Sequence, residues 1–355
     1  MVSELRRTSV SEKDVDLRLV DLIGKVVEGI RLTATESEAA FDRFMDGSAS
    51  EIEMAGLLAA LRTKGAKHTE IAGGVRALRK AMVPVFSSEP QKLVDTAGTG
   101  GGEVTTFNIS TAAALVAAGA GVPIAKHGNR SFTSRSGSAD VLEALGVDID
   151  LTPERMGEIL EEVGIVFMFA PLLHPAMRHV APVRRALGIT TIMNILGPLT
   201  NPAGALRQVM GVSDPRIRGL VARGLQEIGH LRAFVVHGDP GMDEISPSGV
   251  THISELSDSG ILEYHVTPEQ LGLEPAALES LAGGEPEHNA LVIQQVLEGQ
   301  EGGARTAVVV NAAAAIAVAD QSTSLQEGVR LAESSIDSGA ASDALERLRM
   351  ASNQR

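Results

Sequence analysis

Two hydrophobic periods divide the chain. From Val15 to about Pro84 apolar positions recur at helical spacing, with Leu17, Val20, Ile23 and Val27 marking a first helix. Thr35 with Glu38, and Ser50 with Glu53, fit the S/T-x-x-E box that starts helices. A fourth helix is expected from about Thr69 to Met82, stopped by Pro84. Short connections make residues 1–90 a small all-helical domain, preceded by a polar stretch expected to fray. From Lys92 the period changes. Short apolar runs at Leu93-Val94, Val122–Ala125, Ile165–Phe169 and Ala233–Val236 alternate with helical stretches such as 110–119 and 138–146. That alternation predicts an α/β domain over 91–355, with a mainly parallel sheet flanked by helices.

Several segments modify this frame. Residues 174–187 read as a helical interruption, followed by Gly197-Pro198-Leu199-Thr200-Asn201-Pro202, which cannot continue a helix. Residues 250–255 and 261–266 alternate and are expected to pair as an edge hairpin. Residues 283–303 are rich in Glu and Gly and are expected to be exposed. Helices at 307–319 and 325–341 are expected to close over the sheet.

Composition narrows the chemistry. The chain has no Cys, so disulfides, thiolate catalysis and Cys-based zinc sites are excluded. With no Trp and only Tyr264, the core must be built from aliphatic residues and Met. A net charge of −14 argues against nucleic-acid and membrane-surface partners. The first residues lack an apolar signal core, and no run approaches the ~18 apolar residues of a span, so the cytoplasm is the expected compartment.

Four clusters carry candidate chemistry. Asp95–Thr111 runs from a strand through Gly98, Gly100, Gly101 and Gly102 to a helix start at Asn108 and Ser110. A glycine loop before a helix N-terminus suits a phosphate, although such loops also serve as plain turns. It matches neither G-x-G-x-x-G nor the P-loop motif. Residues 126–140 follow a strand and bring Lys126, His127, Arg130 and Arg135 together with Ser131, Thr133, Ser134, Ser136 and Ser138. This is a second anion-binding set or a solvated loop. Residues 174–185 carry Arg184 and Arg185, a carboxylate clamp or a basic helix face. Residues 237–249 place Asp243 and Glu244 after a strand, where adjacent carboxylates suit Mg²⁺ shared with a phosphate, with Asp239 a competing donor.

Together these segments resemble the anthranilate phosphoribosyltransferase family. The resemblance rests on GTGG at 98–101, TFNIST at 106–111, KHGNR at 126–130, SGSADVLEALGV at 136–147, HPAMRHVAPVRRALGI at 174–189, NILGPLTNP at 194–202 and VVHGDPGMDEIS at 235–246. It implies transfer of the phosphoribosyl group of 5-phosphoribosyl-1-pyrophosphate (PRPP) to the amine of anthranilate, with release of pyrophosphate, in tryptophan biosynthesis. It also implies that residues of about 174–205 join the helical domain and that two copies pair through it as a homodimer. By motif position, Gly98, Gly101, Gly102, Thr106, Asn108, Ile109, Ser110 and Thr111 line the PRPP site. So do Lys126, His127, Gly128, Asn129, Arg130, Ser131, Phe132, Thr133, Ser134 and Ser138. Gly98, Asn129 and Arg184 contact anthranilate. Two Mg²⁺ ions per subunit are implied, one on Ser110 and Glu244, the other on Asp243 and Glu244. No catalytic residue is certain: His127 is a candidate proton acceptor, or a structural histidine. The sequence departs from the family at Gly102, where Asp is usual, and at Thr190, where Arg is common. Two other readings are a pyrimidine nucleoside phosphorylase of the same architecture and a non-catalytic sugar-phosphate sensor.

Overall fold

The computed structural model describes residues 18–131 and 135–354. The polar N-terminal stretch, Val15 and Leu17, and the expected ligands Phe132, Thr133 and Ser134 lie outside them. Four helices open the chain: α1 (Leu19–Val27), α2 (Ala34–Met45), α3 (Glu51–Lys64) and α4 (His68–Ala81). The box at Ser50–Glu53 caps α3 as expected. The box at α2 is Thr33–Glu36, not Thr35–Glu38. Thr33 is the last residue in extended backbone, so Thr35 already lies inside the first turn and cannot cap it.

The remainder builds one seven-stranded sheet. Its strands are β1 (Val94–Gly98), β2 (Ile124–Gly128), β3 (Ile165–Phe169), β4 (Arg207–Gly211), β5 (Arg232–Gly238), β6 (Thr251–Ser257) and β7 (Gly260–Val266). Their order is β3-β2-β1-β4-β5-β6-β7. The first five are parallel, and β6 and β7 form the expected antiparallel hairpin. The chain winds outward from β1 to β3, then returns to lay β4 on the other side of β1. The crevice outside the carboxyl ends of β1 and β4 is therefore a topological switch point, where open α/β sheets bind ligands.

Helices α5 (Ile109–Gly119), α6 (Ser138–Ala144), α7 (Pro153–Val163), α8 (Ala170–Leu173), α9 (Met177–Leu187), α10 (Met193–Leu196) and α11 (Arg218–Glu227) lie between strands. Helices α12 (Pro286–Leu297), α13 (Gly303–Val318), α14 (Leu325–Asp337) and α15 (Ala340–Asn353) close the chain. Two cores result. One joins Val209, Phe234 and Val236 to α5, α12, α13 and α14; the other joins Met210, Val212, Ala233 and Val235 to α1–α4, α9, α10 and α11. Alternate residues of β4 and β5 thus face opposite cores, as the strand period of two demands. Among the described residues no helix is long and apolar enough to cross a membrane.

Four expectations need correction. β1 and β2 run on through Gly98 and Gly128, so Lys126, His127 and Gly128 are strand residues rather than loop residues. Strand β4 was not expected: Arg207–Gly211 has only two apolar side chains and follows a coil rich in Pro and Gly. The supposedly exposed 283–303 contains α12, which buries Ala290, Ile293 and Leu297 at helical spacing. The single closing helix over 325–341 is broken by Gly339, whose φ of 82° starts α15.

Candidate active site

Gly98 and Gly211 are register partners at the carboxyl ends of β1 and β4. Neither has a side chain, and the turn carrying Asp243 lies in the notch they leave. A Cβ on Gly98 would stand 2.4 Å from Asp243 Oδ2, and one on Gly211 only 1.5 Å from the Asp243 carbonyl oxygen. The glycine loop closes on the same turn. Gly100 N–H donates to Asp243 Oδ2 at 2.8 Å, and Glu103 N–H donates to Gly241 O at 3.0 Å. Gly100 and Gly101 adopt φ of 66° and 75°, which is the reason for glycine there. Two clusters more than a hundred residues apart in sequence are therefore one structure.

Lys126 joins them from β2. Its Nζ donates to Thr96 O at 2.5 Å and Thr96 Oγ1 at 3.2 Å, and lies 3.4 Å from Ser110 Oγ in the first turn of α5. Burial lowers the Lys126 pKa to about 8, opposed by the nearby charges of Asp95 and Glu244. Burial drives Glu244 well above the usual carboxylate range, the Asp243 charge adds to this, and Lys126 opposes it. Burial also raises Asp243, opposed by the Gly100 N–H. Two adjacent half-buried carboxylates that resist ionisation lack sufficient positive charge. Thr96, Ser110, Gly211, Asp243, Glu244 and Asn311, with the apolar Ala97, Ala113, Val209 and Val236, line a cavity of ≈ 20 Å³, room for one water-sized group. Hard oxygen donors around such a space fit Mg²⁺, which takes one or two carboxylates and shares its remaining positions with substrate.

The other expected residues are placed as follows. Gly102 lies against the acid turn, its missing Cβ 2.9 Å from Gly241 O. Thr106 bridges to Ala282. Asn108 precedes α5, but its amide is occupied: it donates to Ser136 O, and its Oδ1 accepts from Ser136 Oγ and Asn289 Nδ2. Ile109 and Thr111 are buried in the first turn of α5, and Thr111 Oγ1 has no partner among the described residues. Gly128 leaves room for Ser138, whose hydroxyl donates to Asn129 O at 3.3 Å. Ser131 N–H donates to Asp140. The Arg130 guanidinium is held by Asp140 and Glu143 on α6, which also raise its pKa, and it lies over the Phe169 ring. The structure thus gives Arg130 carboxylate partners rather than leaving it free for phosphate.

The third cluster reaches the site through His174. Its ring centroid is 5.0 Å from that of His127, and the Nε2 atoms of both rings lack a partner among the described residues. Burial lowers His127 to about 3, helped by His174 and Lys126, and lowers His174 to about 4. Both rings are neutral near pH 7. Arg184 is half-buried on α9; burial alone lowers its pKa, and no hydrogen bond or ion pair ties its guanidinium to another described residue.

Asp95 and Asn201 escaped the sequence reading. Burial raises Asp95 to about 6; it accepts from His127 N–H at 3.1 Å and from Asn201 Nδ2 at 2.9 Å, and Asn201 Nδ2 also donates to Ala125 O at 2.8 Å. This network ties the segment after α10 to β1 and β2. Its only sequence signal is polar residues at the start of the glycine stretch and within LTNP.

The class follows from this arrangement and two family matches. Residues 20–82 match the helical bundle domain of the glycosyl transferase family, and residues 90–342 match its a/b domain. An anthranilate phosphoribosyltransferase of Symbiobacterium thermophilum is 51% identical over 328 residues, covering 92% of this chain and 96% of the relative. The crystal structure of the Thermus thermophilus anthranilate phosphoribosyltransferase superimposes with a TM-score of 0.89 at 45% identity, covering 94% of this chain and 100% of that one. The Saccharomyces cerevisiae anthranilate phosphoribosyltransferase, solved in complex with PRPP and Mg, superimposes with a TM-score of 0.85 at 28% identity, covering 94% and 97%. The chain belongs to the anthranilate phosphoribosyltransferase family.

Proposed function

We propose that the chain transfers the 5-phosphoribosyl group from PRPP to the amine of anthranilate, giving N-(5-phosphoribosyl)anthranilate and pyrophosphate, as a step of tryptophan biosynthesis. The observation that carries this reading is the half-buried Asp243–Glu244 pair, poorly solvated and facing Lys126 and Ser110 at the switch point. In the reaction the C1–O bond to pyrophosphate breaks, the anthranilate nitrogen bonds to C1, and the amine loses a proton. Mg²⁺, when bound, supplies neutralising charge for the departing pyrophosphate. Ser110, Asp243 and Glu244 are its protein ligands in this proposal, with two ions per subunit sharing Glu244.

Lys126 adds a fixed positive charge beside the carboxylates, and the N-terminus of α5 adds its partial charge. The glycine loop, Thr106, Ile109–Thr111, Lys126–Asn129, Ser131 and Ser138 form the PRPP side, with Arg130 set aside because Asp140 and Glu143 hold it. Asn108 acts there by holding the loops together, because its amide is already bonded. The half-buried Arg184, whose guanidinium has no partner among the described residues, receives the anthranilate carboxylate in this proposal, and Gly98 and Asn129 are its further contacts. An aromatic amine is unprotonated near pH 7, so a dedicated general base is not obligatory, and burial keeps His127 neutral there with a pKa of about 3. The protein's main contribution is to position the amine at C1.

The same reading divides the chain into a helical domain, 1–90 with 174–205, and an α/β domain from 91, and assigns it to the cytoplasm. It also pairs two copies through the helical domain, where Val20, Val27, Ile30 and Ile52 are exposed; light scattering on the purified chain tests this. The activity is tested by anthranilate fluorescence in the presence of PRPP and Mg²⁺. Loss of fluorescence with stoichiometric pyrophosphate release is expected. Phosphorolysis of thymidine or uridine instead would establish a nucleoside phosphorylase, and PRPP binding without pyrophosphate release a sensor.

A further inference from the structure

Asn311 lies in the middle of α13, between Val308, Val309 and Val310 on one side and Ala312, Ala313 and Ala314 on the other, all buried. A buried amide in such a helix is costly unless its hydrogen bonds are made. Here they are. Asn311 Nδ2 donates to Ala307 O and to Ile245 O, each at 2.9 Å, and Asn311 Oδ1 accepts from Ile245 N–H at 2.9 Å. Both backbone groups of residue 245 are therefore held by one side chain, as a neighbouring strand would hold them. Ile245 directly follows Glu244. On the opposite side, the Asp243 carbonyl rests where a Cβ of Gly211 would be. The acid pair is thus fixed between the backbone of β4 and the amide of Asn311, and Asn311 lines the same cavity as Ser110, Asp243 and Glu244.

We infer that Asn311 is a positioning residue for the acid pair: by holding residue 245 it aims Asp243 and Glu244 at the cavity they share with Ser110. This rests on the reading of that pair as Mg²⁺ ligands. The test uses the full chain with PRPP present and anthranilate absent, and follows Mn²⁺ binding by the electron paramagnetic resonance signal of the free ion. Asn311→Ser keeps a hydroxyl that can bond Ala307 O within the helix and removes the hold on Ile245. It is expected to weaken Mn²⁺ binding roughly 10- to 100-fold, the usual effect of losing a group that orients a ligand. The KM for anthranilate is expected to stay unchanged. Should Asn311→Ser fail to fold, Asn311→Asp, of equal volume and still an acceptor for Ile245 N–H, is measured in the same way and is expected to weaken Mn²⁺ less. Glu244→Gln is the control. If it loses Mn²⁺ while the folded Asn311 variant binds as the wild type does, Asn311 only packs α13 and the inference is overturned. If Glu244→Gln itself binds Mn²⁺ normally, the reading of the acid pair fails and takes the inference with it.

Discussion

Replacing Gly211 by alanine tests whether the acid pair is placed by the end of β4. The added Cβ would lie 1.5 Å from the Asp243 carbonyl oxygen and 2.3 Å from its carbon. That is about 2 Å short of the ~3.5 Å at which such atoms rest. Gly211 is paired to Gly98 on one side and Val236 on the other, so the strand cannot yield alone. The turn must move, against Asn311 holding Ile245 and Gly241 O accepting from Glu103 N–H. Overpacking costs about 1–3 kcal/mol, and a backbone obstacle belongs at the upper end. A displacement of even 1 Å at reacting groups can cost ~10²-fold in rate, so kcat/KM should fall by at least about that much. The assay is steady-state anthranilate fluorescence across a Mg²⁺ titration, with a thermal melt of the same preparation. A variant with wild-type rate and wild-type Mg²⁺ requirement would show that Asp243 and Glu244 do not depend on the Gly98–Gly211 notch.

Three further outcomes are expected. Arg184→Ala should raise the KM for anthranilate about 10- to 10²-fold through loss of a charge-assisted contact, leaving that for PRPP unchanged; equal KM values in variant and wild type would make Arg184 a plain surface cation. Gly102→Asp would bring its Cβ 2.9 Å from Gly241 O and 3.4 Å from Asp243 Oδ1, so the Mg²⁺ dependence should shift while the anthranilate KM moves little; superimposable Mg²⁺ curves would refute it. His230 contributes to acid stability beside His127 and His174: burial, then Arg79, lowers its pKa to about 3. The unfolded histidine, with a pKa of about 6.5, takes up its proton first as pH falls, so stability is intact above ~6.5 and declines toward ~3, by about 2 kcal/mol at pH ~5. Urea melts of His230→Gln should lose less stability than wild type between about pH 7 and pH 5, and parallel curves would remove His230 from the account.

Much of this architecture was legible in local pattern. Ser50 with Glu53 is a complete helix-start signal within four residues, and Ile165–Phe169 is a strand with sharp ends. The misses share a cause. Arg207–Gly211 is a strand because β1 and β5 lie on either side of it, and its own five residues carry little of that information. Residues 286–297 are helical with one buried face, but Glu and Gly around them mask the period. At the site, residue type identified the clusters and distance in sequence hid their joining. Nothing local says that Gly100 N–H meets Asp243 or that Asn311 meets Ile245. Arg130 fails in the opposite direction: its type suits phosphate, yet Asp140 and Glu143, 10 and 13 residues later on α6, hold it.

Consistency between local preference and fold is what makes a sequence foldable, and it breaks down here in one small region. The glycine loop at 98–102 gives up side chains, and α13 carries an amide in an otherwise apolar run. β2 buries a lysine, and the turn after β5 half-buries two adjacent carboxylates with raised pKa values. Each is unfavourable for stability when considered alone. Considered together they are complementary: the missing side chains admit the turn, the amide holds it, and the lysine partly offsets the acids. The compensation is incomplete within the chain, since burial still outweighs Lys126 at Glu244. Ionising both acids would leave negative charge uncompensated beside a cavity sized for one small group. A divalent cation arriving with an anionic substrate corrects that imbalance, and a hydrophobic core would have no use for it. The strain in the fold therefore points to the chemistry more directly than any single motif in the sequence.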